Sequence, residues 1–236
     1  MTPSATESGA REEICRVGKS LFDRGYVHAT AGNISVRLDE DAGGGFLITP
    51  TDACLGFLDP ARLARLDAQG QHLSGDTPSK TIALHSRIYR AVAPLDPTVR
   101  CIIHTHSTHC VQLTLQPTNP VAEGSAYAEL LPPITPYFVM KVGHVPLIAY
   151  DRPGSAQTAE RVEHAIGHYA SRSIALRAVM LERLGPNVWH TSAVQAMAVL
   201  EELEETARLF AAERQCVTPL TPPQLEQLRT AFGVQW

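Results

Sequence analysis

The sequence predicts an α/β or α+β fold in which helices cover a mixed or antiparallel sheet. Three observations carry this prediction: strand pairs joined by glycine-rich or polar turns near the start, single apolar β-branched runs later, and amphipathic helices between them. The chain has 236 residues, of which 44% are hydrophobic and 19% are charged. That balance is typical of a globular protein that buries a sizeable core.

The first half of the chain is predicted to contain a helix, then two strand pairs, then a second helix. Ile14, Val17 and Leu21 recur at helical spacing, and Gly25 stands where a helix stop belongs. Pro78 suits the first turn of the second helix, where its missing N–H breaks no hydrogen bond. The predicted elements are a helix over 9–26, a hairpin of strands 30–38 and 46–51 around a loop at 39–45, a strand pair within 63–75, and a helix that Thr77-Pro78-Ser79 caps and that runs to about Ala93.

The second half begins with an apolar strand, Val99–Ile103, which ends in His104-Thr105-His106. The segment 116–135 is rich in proline and lacks periodicity, so we expect a loop or lid there. The predicted domain covers 9–215, and 216–236 is a helical tail. The further predicted elements are a short helix from Cys110 to Leu115, paired strands within 139–150 around Gly143, a helix at 157–171, a strand at 178–181, a helix at 192–210 and a last short helix in the tail.

Charge, cysteine usage and hydropathy exclude several classes of protein. The formal net charge is −4 and no basic patch is visible, which argues against a nucleic-acid partner. The 5 cysteines are scattered and odd in number, which argues against a disulfide framework and against a thiolate zinc site. The first residues lack the apolar stretch of a secretory signal, and no window resembles a membrane span. We therefore expect a cytoplasmic protein without a membrane partner.

The most specific chemical motif is the pair of histidines, His104 and His106, at a predicted strand end. Residues two apart on a strand point to the same face and lie about 7 Å apart along the backbone. Imidazole nitrogens are good ligands for zinc and other first-row divalent metals, and a catalytic metal usually needs a third protein ligand and an open position. The pair therefore predicts a metal site. Two exposed histidines at a strand end are the plainer alternative.

Polar side chains in three short segments are candidates for binding an anion. The segments read AGNIS, ITPTD and TPSK, and the last stands at the positive N-terminal end of a predicted helix, which is a common anion site. The plainer alternatives are an ordinary turn and a capped helix start. The candidate contacts are Asn33, Thr49, Thr51, Ser79 and Lys80.

Read in order, these segments resemble the class II aldolase/adducin family. GNIS, ITPT, SGDTPSK with the following LHSRIYR, and IIHTHST occur in the order and spacing of that family, and the resemblance covers residues 10–215. The later TPYFVMKVG, YDRPG and EELEETARL segments resemble its 3-oxo-tetronate 4-phosphate decarboxylase branch. No single motif is decisive, and the assignment depends on their combination.

The resemblance implies a three-layer α/β/α fold with a central, mainly antiparallel sheet, and a homotetramer with active sites at subunit interfaces. It also implies a small-molecule substrate and a divalent metal, zinc before manganese or iron, held by His104, His106 and a third histidine. Such a metal polarises a carbonyl or enediolate oxygen as a carbon–carbon bond breaks. The implied anion contacts are Asn33, Thr51, Ser79 and Lys80, and Tyr137 is a catalytic candidate.

Three positions depart from the family pattern. Thr81 stands where the family has a glutamate that transfers protons, and a threonine hydroxyl cannot replace a carboxylate near neutral pH. Leu184 stands where the third metal histidine belongs. Asp52 replaces a glycine after ITPT, which places a negative charge beside a phosphate and removes a conformation open mainly to glycine. The candidates for a replacement ligand are water and three histidines, His109, His144 and His190.

The sequence leaves three functions open. The first is a metal-dependent carbon–carbon lyase, an aldolase or decarboxylase, acting on a small sugar-acid or oxo-acid derivative with or without a phosphate. The second is a non-catalytic relative that keeps the fold for binding or assembly, which the three changed positions favour. The third is an iron oxygenase, which needs two histidines and a carboxylate, and Glu182 or Asp52 could supply the carboxylate. Metal content and oxygen consumption discriminate among them.

Overall fold

One eight-stranded sheet carries helices on both faces in the computed structural model, which describes residues 6–115, 126–213 and 216–236. The helices are α1 (Glu7–Asp23), α2 (Ile82–Val92), α3 (Thr108–Leu113), α4 (Pro136–Lys141), α5 (Ala156–Ala170), α6 (Ala193–Ala212) and α7 (Pro222–Phe232). The strands are β1 (Asn33–Arg37), β2 (Phe46–Ile48), β3 (Ala64–Leu66), β4 (His72–Ser74), β5 (Cys101–His104), β6 (Leu147–Ile148), β7 (Ala178–Leu181) and β8 (Gly185–His190).

The strand order across the sheet is β4-β3-β2-β1-β5-β8-β7-β6. Every neighbouring pair is antiparallel except β6 and β7. At the centre, Asn33 of β1 pairs with His104 of β5, and His104 pairs with Asn187 of β8. Directly paired residues point to the same face, so three polar side chains stand side by side in one row of the sheet.

Two apolar layers enclose the sheet because its side chains alternate between the two faces. Ile103 and Val188 belong to the core that includes α1 and α6, whereas Ile102 and Trp189 belong to the core that includes α2 and α5. His104 lies two residues after Ile102 and therefore faces α2 and α5. This is a three-layer α/β/α arrangement with a mainly antiparallel sheet, so the predicted fold is confirmed.

Most predicted elements occur close to their expected positions because the signals that predict them are local. Strand β7 has the predicted bounds, and helices α1, α5 and α6 differ from the predicted ones by at most 3 residues at either end. Helix α2 begins at Ile82, so the predicted cap at Thr77-Pro78-Ser79 is wrong: residues 80–81 form a turn in which the Ile82 N–H donates to the Ser79 carbonyl.

The prediction of paired strands within 139–150 is wrong, because residues Pro136–Lys141 form helix α4. Thr135 caps this helix by accepting a hydrogen bond from the Phe138 N–H at 3.1 Å, and proline occupies the first turn, where it is well tolerated. Gly143 follows the helix with φ 75°. Only Leu147–Ile148 of the segment forms a strand.

The predicted loop at 116–135 is described in part. Residues 116–125 lie outside the described part of the chain, so the prediction stands untested there. Residues 126–135 contain no helix or strand, and Glu129 forms an isolated antiparallel bridge with Pro146. Among the helices of the described segments, none is long and apolar enough to cross a membrane.

Candidate active site

A cavity of about 560 Å³ opens between the N-terminal ends of α2 and α5 on the face of the sheet that His104 occupies. Both histidines of the predicted metal pair and all four predicted anion contacts of the family resemblance line it. The three departing positions line it as well. The lining residues that the sequence singled out are Asn33, Thr51, Asp52, Ser79, Lys80, Thr81, His104, His106 and Leu184.

His104 is held as a neutral imidazole of one tautomer. Its side chain is buried, and Nδ1 lies 2.9 Å from the carbonyl oxygen of Pro186. A carbonyl oxygen only accepts hydrogen bonds, so Nδ1 carries the proton and Nε2 keeps its lone pair. Burial lowers the pKa of His104 to about 4, and the nearby His106 acts on it in the same direction. At neutral pH the residue therefore offers Nε2 as an acceptor or a metal ligand.

His106 lies beside His104, with the ring centroids 5.1 Å apart and the rings at 67° to each other. It is partly buried, and burial together with the nearby His28 lowers its pKa below the ordinary histidine value. His106 stands beyond the end of β5, yet both rings reach the same cavity, as the spacing of two predicted. Two neutral imidazoles close together are a suitable pair of metal ligands.

Two glycines shape the backbone around these histidines. Gly32 has φ 86°, and a Cβ placed there would lie 2.8 Å from the carbonyl oxygen of His104. Gly185 has φ 137°, and a Cβ there would lie 1.9 Å from the carbonyl oxygen of Thr105. Contacts this short are forbidden, so both neighbouring strands approach the histidine segment only because these positions lack a side chain.

Two backbone hydrogen bonds join the loops that carry Thr51 and Ser79. The Thr51 N–H donates to the Thr77 carbonyl at 2.9 Å, and the Ser79 N–H donates to the Thr49 carbonyl at 3.2 Å. Lys80 follows at an exposed position of the same wall and forms no ion pair with any residue of the described segments. A free ammonium beside two hydroxyl-bearing loops suits a phosphate or carboxylate.

The position of the family glutamate is occupied by a hydroxyl that already has partners. Asn33 Nδ2 donates to Thr81 Oγ1 at 3.2 Å, and Ser79 Oγ donates to the same oxygen at 3.3 Å. Thr81 therefore fixes two anion contacts relative to each other and supplies no acid or base. Within the described structure, Asn33 Oδ1 is buried and has no hydrogen-bond partner.

Asp52 retains the left-handed backbone conformation, although the replacement of the family glycine by aspartate predicts that this conformation is lost. Its φ is 55°, in the left-handed region that glycine favours and that aspartate tolerates better than most residues. The loop shape is therefore retained at some conformational cost. The carboxylate itself lines the cavity, so the expected repulsion of a phosphate is not removed.

A buried polar layer lies beneath the histidine pair. His85 of α2 is fully buried, and its Nδ1 lies 2.8 Å from Ser35 Oγ. Its Nε2 and both side-chain polar atoms of the buried Asn187 make no hydrogen bond of normal geometry within the described segments. Burial, together with the nearby His104, lowers the pKa of His85 to about 3, and only the approach of Asn187 opposes this. His85 is therefore neutral at neutral pH.

The structure separates His190 from the histidine pair. On β8, His190 pairs with Cys101, whereas His104 pairs with Asn187 three residues away. His190 also shares the face of Val188, the α6 side of the sheet, which is opposite to the cavity. Its ring therefore does not reach the position of the missing ligand.

Tyr137 lies in the same distant region, exposed at the start of α4. Together with His190 it lines a different cavity of about 520 Å³ between α4, α6 and α7. Within one chain, Tyr137 is not brought to the histidine pair. His109 and His144 are likewise committed elsewhere, because their Nδ1 atoms each lie 2.9 Å from a carboxylate, of Glu204 and Glu129 respectively.

The cavity offers two protein ligands, rather than three, for the metal that the resemblance implies. His104, and beside it His106, present imidazoles of the right chemistry, with the tautomer of His104 fixed by a backbone carbonyl, as in many metal sites. Leu184 lines the cavity where the third histidine belongs and offers no ligand atom. No cluster of three histidine, cysteine, aspartate or glutamate residues suited to a metal occurs in segments 6–115, 126–213 and 216–236. The pair fits a site whose other positions take water or substrate oxygens.

The carboxylates considered for an iron site do not complete it. Glu182 accepts a hydrogen bond from the Tyr150 N–H at 2.8 Å, outside the cavity lining. Asp52 lines the cavity but forms no three-residue metal cluster with the histidines in the described structure. The arrangement therefore gives an iron oxygenase no specific support.

Sequence reasoning assigned no site role to several residues that surround the pair. Arg152 and the following turn into α5 line the cavity, and Thr158 lies with them. The YDRPGS sequence before a predicted helix carried an N-terminus signal that could have marked this wall. His85 and Asn187 gave no such signal, because only the sheet register and the packing of α2 bring them under His104.

A family model describing the class II aldolase and adducin N-terminal domain matches residues 12–211. A relative from Cupriavidus necator, named 3-oxo-tetronate 4-phosphate decarboxylase, is 47% identical over 98% of this chain and 100% of its own length. A relative of the same name from Escherichia coli is 37% identical over 95% of this chain and 97% of its own length.

Solved structures are similar over nearly the whole chain. The crystal structure of YgbL from Escherichia coli, described in terms of an aldolase, epimerase or decarboxylase, matches with a TM-score of 0.77 at 37% identity, over 94% of this chain and 99% of that one. L-fuculose-1-phosphate aldolase from Thermus thermophilus matches with a TM-score of 0.68 at 24% identity, over 90% and 98% respectively. The second likeness concerns the fold alone.

Proposed function

The chain belongs to the class II aldolase and adducin family, and from that premise we propose that it is a carbon–carbon lyase that decarboxylates a small phosphorylated 3-oxo sugar acid of the 3-oxo-tetronate 4-phosphate type. Relatives with that name, 47% and 37% identical over nearly the full length, support the reaction class. The structural observation that carries the proposal is one cavity that holds a neutral histidine pair beside a free lysine and hydroxyl-bearing loops.

The proposed reaction breaks one carbon–carbon bond and needs no oxidant. The C1–C2 bond of the 3-oxo acid breaks, C1 leaves as carbon dioxide, and the electron pair moves into an enediolate on C2, C3 and the former oxo oxygen. A proton then adds to C2, so that a four-carbon 3-oxo-tetronate 4-phosphate gives dihydroxyacetone phosphate. The step requires stabilisation of the developing oxyanion more than it requires a strong base.

The chain's own groups divide between binding and charge stabilisation. Lys80, Ser79 and Thr51 hold the phosphate, and Asn33 is fixed beside them through Thr81. His104 presents Nε2 toward the cavity while its Nδ1–H is held by Pro186. Because the electron sink matters more than a base, Thr81 in place of glutamate is compatible with decarboxylation.

We further propose that His104 and His106 hold a divalent metal, with zinc the first candidate and manganese or iron the others. When bound, such a metal supplies Lewis-acid stabilisation of the oxyanion. Metal content of untagged protein, measured by mass spectrometry beside a His104→Ala variant, tests this part. We expect metal in the wild type and its loss in the variant; equal content in both would remove His104 from the assignment.

Turnover is tested with synthetic 3-oxo-tetronate 4-phosphate. We expect dihydroxyacetone phosphate to appear faster than by spontaneous decarboxylation, followed through a coupled NADH-dependent reductase. The Lys80→Gln variant should raise KM more than it lowers kcat, because Lys80 binds the phosphate in the substrate and the transition state alike. Rates equal to the spontaneous reaction for wild type, with metal supplied, would contradict the proposal.

A non-catalytic role is the second candidate, and specific observations favour it. Thr81 and Leu184 occupy the cavity at the positions of a family acid and a family ligand, and neither can perform that chemistry. Absence of metal from both wild type and His104→Ala, together with absence of turnover, is the result this candidate expects.

We also propose a homotetramer with active sites at subunit interfaces, which the family resemblance supports, and a cytoplasmic location, which the sequence composition supports.

A further inference from the structure

A second wall of the cavity is formed by the turn into α5. The turn 152–155 and the first residues of the helix line the cavity together with the loops that carry Lys80 and Thr51. Helix α5 has 15 residues, long enough for a sizeable dipole with its positive end at this wall. The proposed substrate carries two anionic groups, and the wall around Lys80 accounts for only one of them.

The N-terminus of α5 lacks the cap that most other long helices in the described structure have. Thr6 and Ser192 accept hydrogen bonds from the starts of α1 and α6, and Thr221 forms a capping box with Gln224 at the start of α7. At α5 the Ser155 side chain instead donates to Asp151 Oδ2 at 2.6 Å and caps nothing. The backbone N–H groups of residues 156–158 make no hydrogen bond to any described residue. These donors are available to an external acceptor.

An independent observation at the same wall also points to a ligand. Thr158 lines the cavity with only 8% of its surface exposed, and its hydroxyl has no hydrogen-bond partner within the described segments. Buried hydroxyls are almost always paired, since an unpaired one loses its hydrogen bonds to water without compensation. A bound acceptor at the helix end would give this hydroxyl the partner it lacks.

The charge at this wall favours an anion of low charge. Arg152 is exposed, lines the cavity, and forms no ion pair with a residue of the described segments. The neighbouring Asp151 is already engaged, as it accepts hydrogen bonds from the Arg152 N–H and from Ser155 Oγ. One guanidinium and one helix end match a carboxylate, which arginine binds with two parallel hydrogen bonds.

We propose that the start of α5, with Arg152 and Thr158, is the subsite for the carboxylate of the substrate, while the Lys80 wall takes the phosphate. This inference rests on the proposed function, because it assumes a substrate with a carboxylate at one end and a phosphate at the other. Holding both ends across the cavity fixes the bond between C1 and C2 relative to the histidine pair. Orientation of this kind is a principal source of rate enhancement.

The test separates the two ends by using one probe for each. Erythronate carries the carboxylate without a phosphate, and glycerol 3-phosphate carries the phosphate without a carboxylate. We expect Arg152→Gln and Thr158→Val to weaken erythronate binding by roughly tenfold, measured by calorimetry or ligand-observed NMR, with glycerol 3-phosphate binding unchanged. Lys80→Gln is the matched control for the other wall and should show the reverse pattern.

A stability measurement distinguishes a binding role of Thr158 from a structural one. Because its hydroxyl is unpaired in the free protein, Thr158→Val should leave the thermal unfolding midpoint unchanged or raise it, and Thr158→Ser should retain erythronate binding. A lower midpoint together with weaker binding of both probes would assign Thr158 a structural role and overturn the subsite.

The outcomes also separate this inference from the proposed function. The subsite is overturned if Arg152→Gln and Thr158→Val leave erythronate binding unchanged. It is also overturned if the wild type binds glycerol 3-phosphate but not erythronate. Neither result excludes decarboxylation, so the proposed function would stand. Selective loss of erythronate binding in a protein that shows no turnover supports the subsite and counts against the decarboxylase. Binding of neither probe by the wild type overturns both.

Discussion

At the scale of single residues, His104 supplies the cavity with a metal-ligand atom and Leu184 supplies none. Leu184 stands in the turn between β7 and β8 and lines the cavity with both histidines. Its side chain packs against the apolar layer shared with α2 and α5. A metal held by two protein ligands is bound more weakly than one held by three, because each additional preorganised ligand adds to the affinity.

Leu184→His should therefore tighten divalent metal binding. A third imidazole at this position would complete the ligand set that the family resemblance implies, and we expect the zinc dissociation constant to fall by roughly tenfold or more. Competition titration with a fluorescent chelator measures the change. Leu184→Phe keeps an apolar side chain without a ligand atom and is the matched control. An unaltered dissociation constant would mean that residue 184 does not point toward the pair.

His85 makes the stability of the fold sensitive to acid. Its pKa is about 3 in the folded protein because it is buried, whereas an unfolded histidine has a pKa of about 6.5. Below about pH 6.5 the unfolded chain binds a proton that the folded chain does not, so stability is lost as the pH falls. The loss from this one residue is about 2 kcal/mol at pH 5.

We expect His85→Gln to reduce the loss of unfolding free energy between pH 7 and pH 5 by about this amount. Urea unfolding at the two pH values measures it. Some acid sensitivity should persist, since burial depresses the pKa of His104 in the same direction. Identical pH slopes in wild type and variant would show that His85 is not the buried neutral base described above.

At the scale of elements, close approach between strand ends decides where the histidines point. The turn from β7 into β8 places Gly185 against the Thr105 backbone, and the turn into β1 places Gly32 against His104. The histidine segment is thus held from both sides by backbone rather than by side chains. This arrangement leaves the cavity side of the segment free for ligand.

Gly185→Ala tests this arrangement. The new methyl group would lie 1.9 Å from a backbone oxygen, and φ 137° is strained for alanine, so we expect a loss of more than about 3 kcal/mol of unfolding free energy. Gly143→Ala is the control, because that position has φ 75° but nothing within 4 Å of the new methyl group. It should cost only about 1–2 kcal/mol. Equal losses in chemical denaturation would contradict the backbone contact at Gly185.

At the scale of the whole molecule, the two faces of the sheet have different roles. The face of α2 and α5 carries the cavity, whereas the tail packs on the other face. Trp236 stacks on His144 with centroids 4.3 Å apart and meets Phe138 edge-on at 5.8 Å. The Leu220 N–H also donates to the Pro133 carbonyl at 2.8 Å. The predicted boundary between domain and tail stays a prediction, since these contacts join the two.

Deleting residues 216–236 should therefore lower stability without changing the site. Loss of two aromatic contacts predicts a decrease of about 1–3 kcal/mol in unfolding free energy. Binding of glycerol 3-phosphate should stay within a factor of about two, an energy below the error of additive estimates for distant sites. Thermal unfolding and calorimetry measure the two quantities. A collapse of ligand binding would show that the tail contributes to the site.

The sequence by itself determined the local features of this protein. Periodicity and turn residues predicted α1, α5, α6 and β7 within a few residues, and spacing alone placed His104 and His106 together. These signals depend on neighbours within one or two turns of chain, which is why they can be read without a fold. The α4 helix was missed because its start signal, Thr135-Pro136, lay outside the segment interpreted as strands.

Only the tertiary structure decided which distant residues share the cavity. The sheet register places Asn187 beside His104 and sends His190 to the opposite face, although both belong to β8. The packing of α2 and α5 on one face brings Arg152 and Thr158 to the cavity and places the buried His85 close to His104. Such proximity depends on register and on layer packing, which arise from contacts between elements far apart in the chain and leave no mark in local spacing.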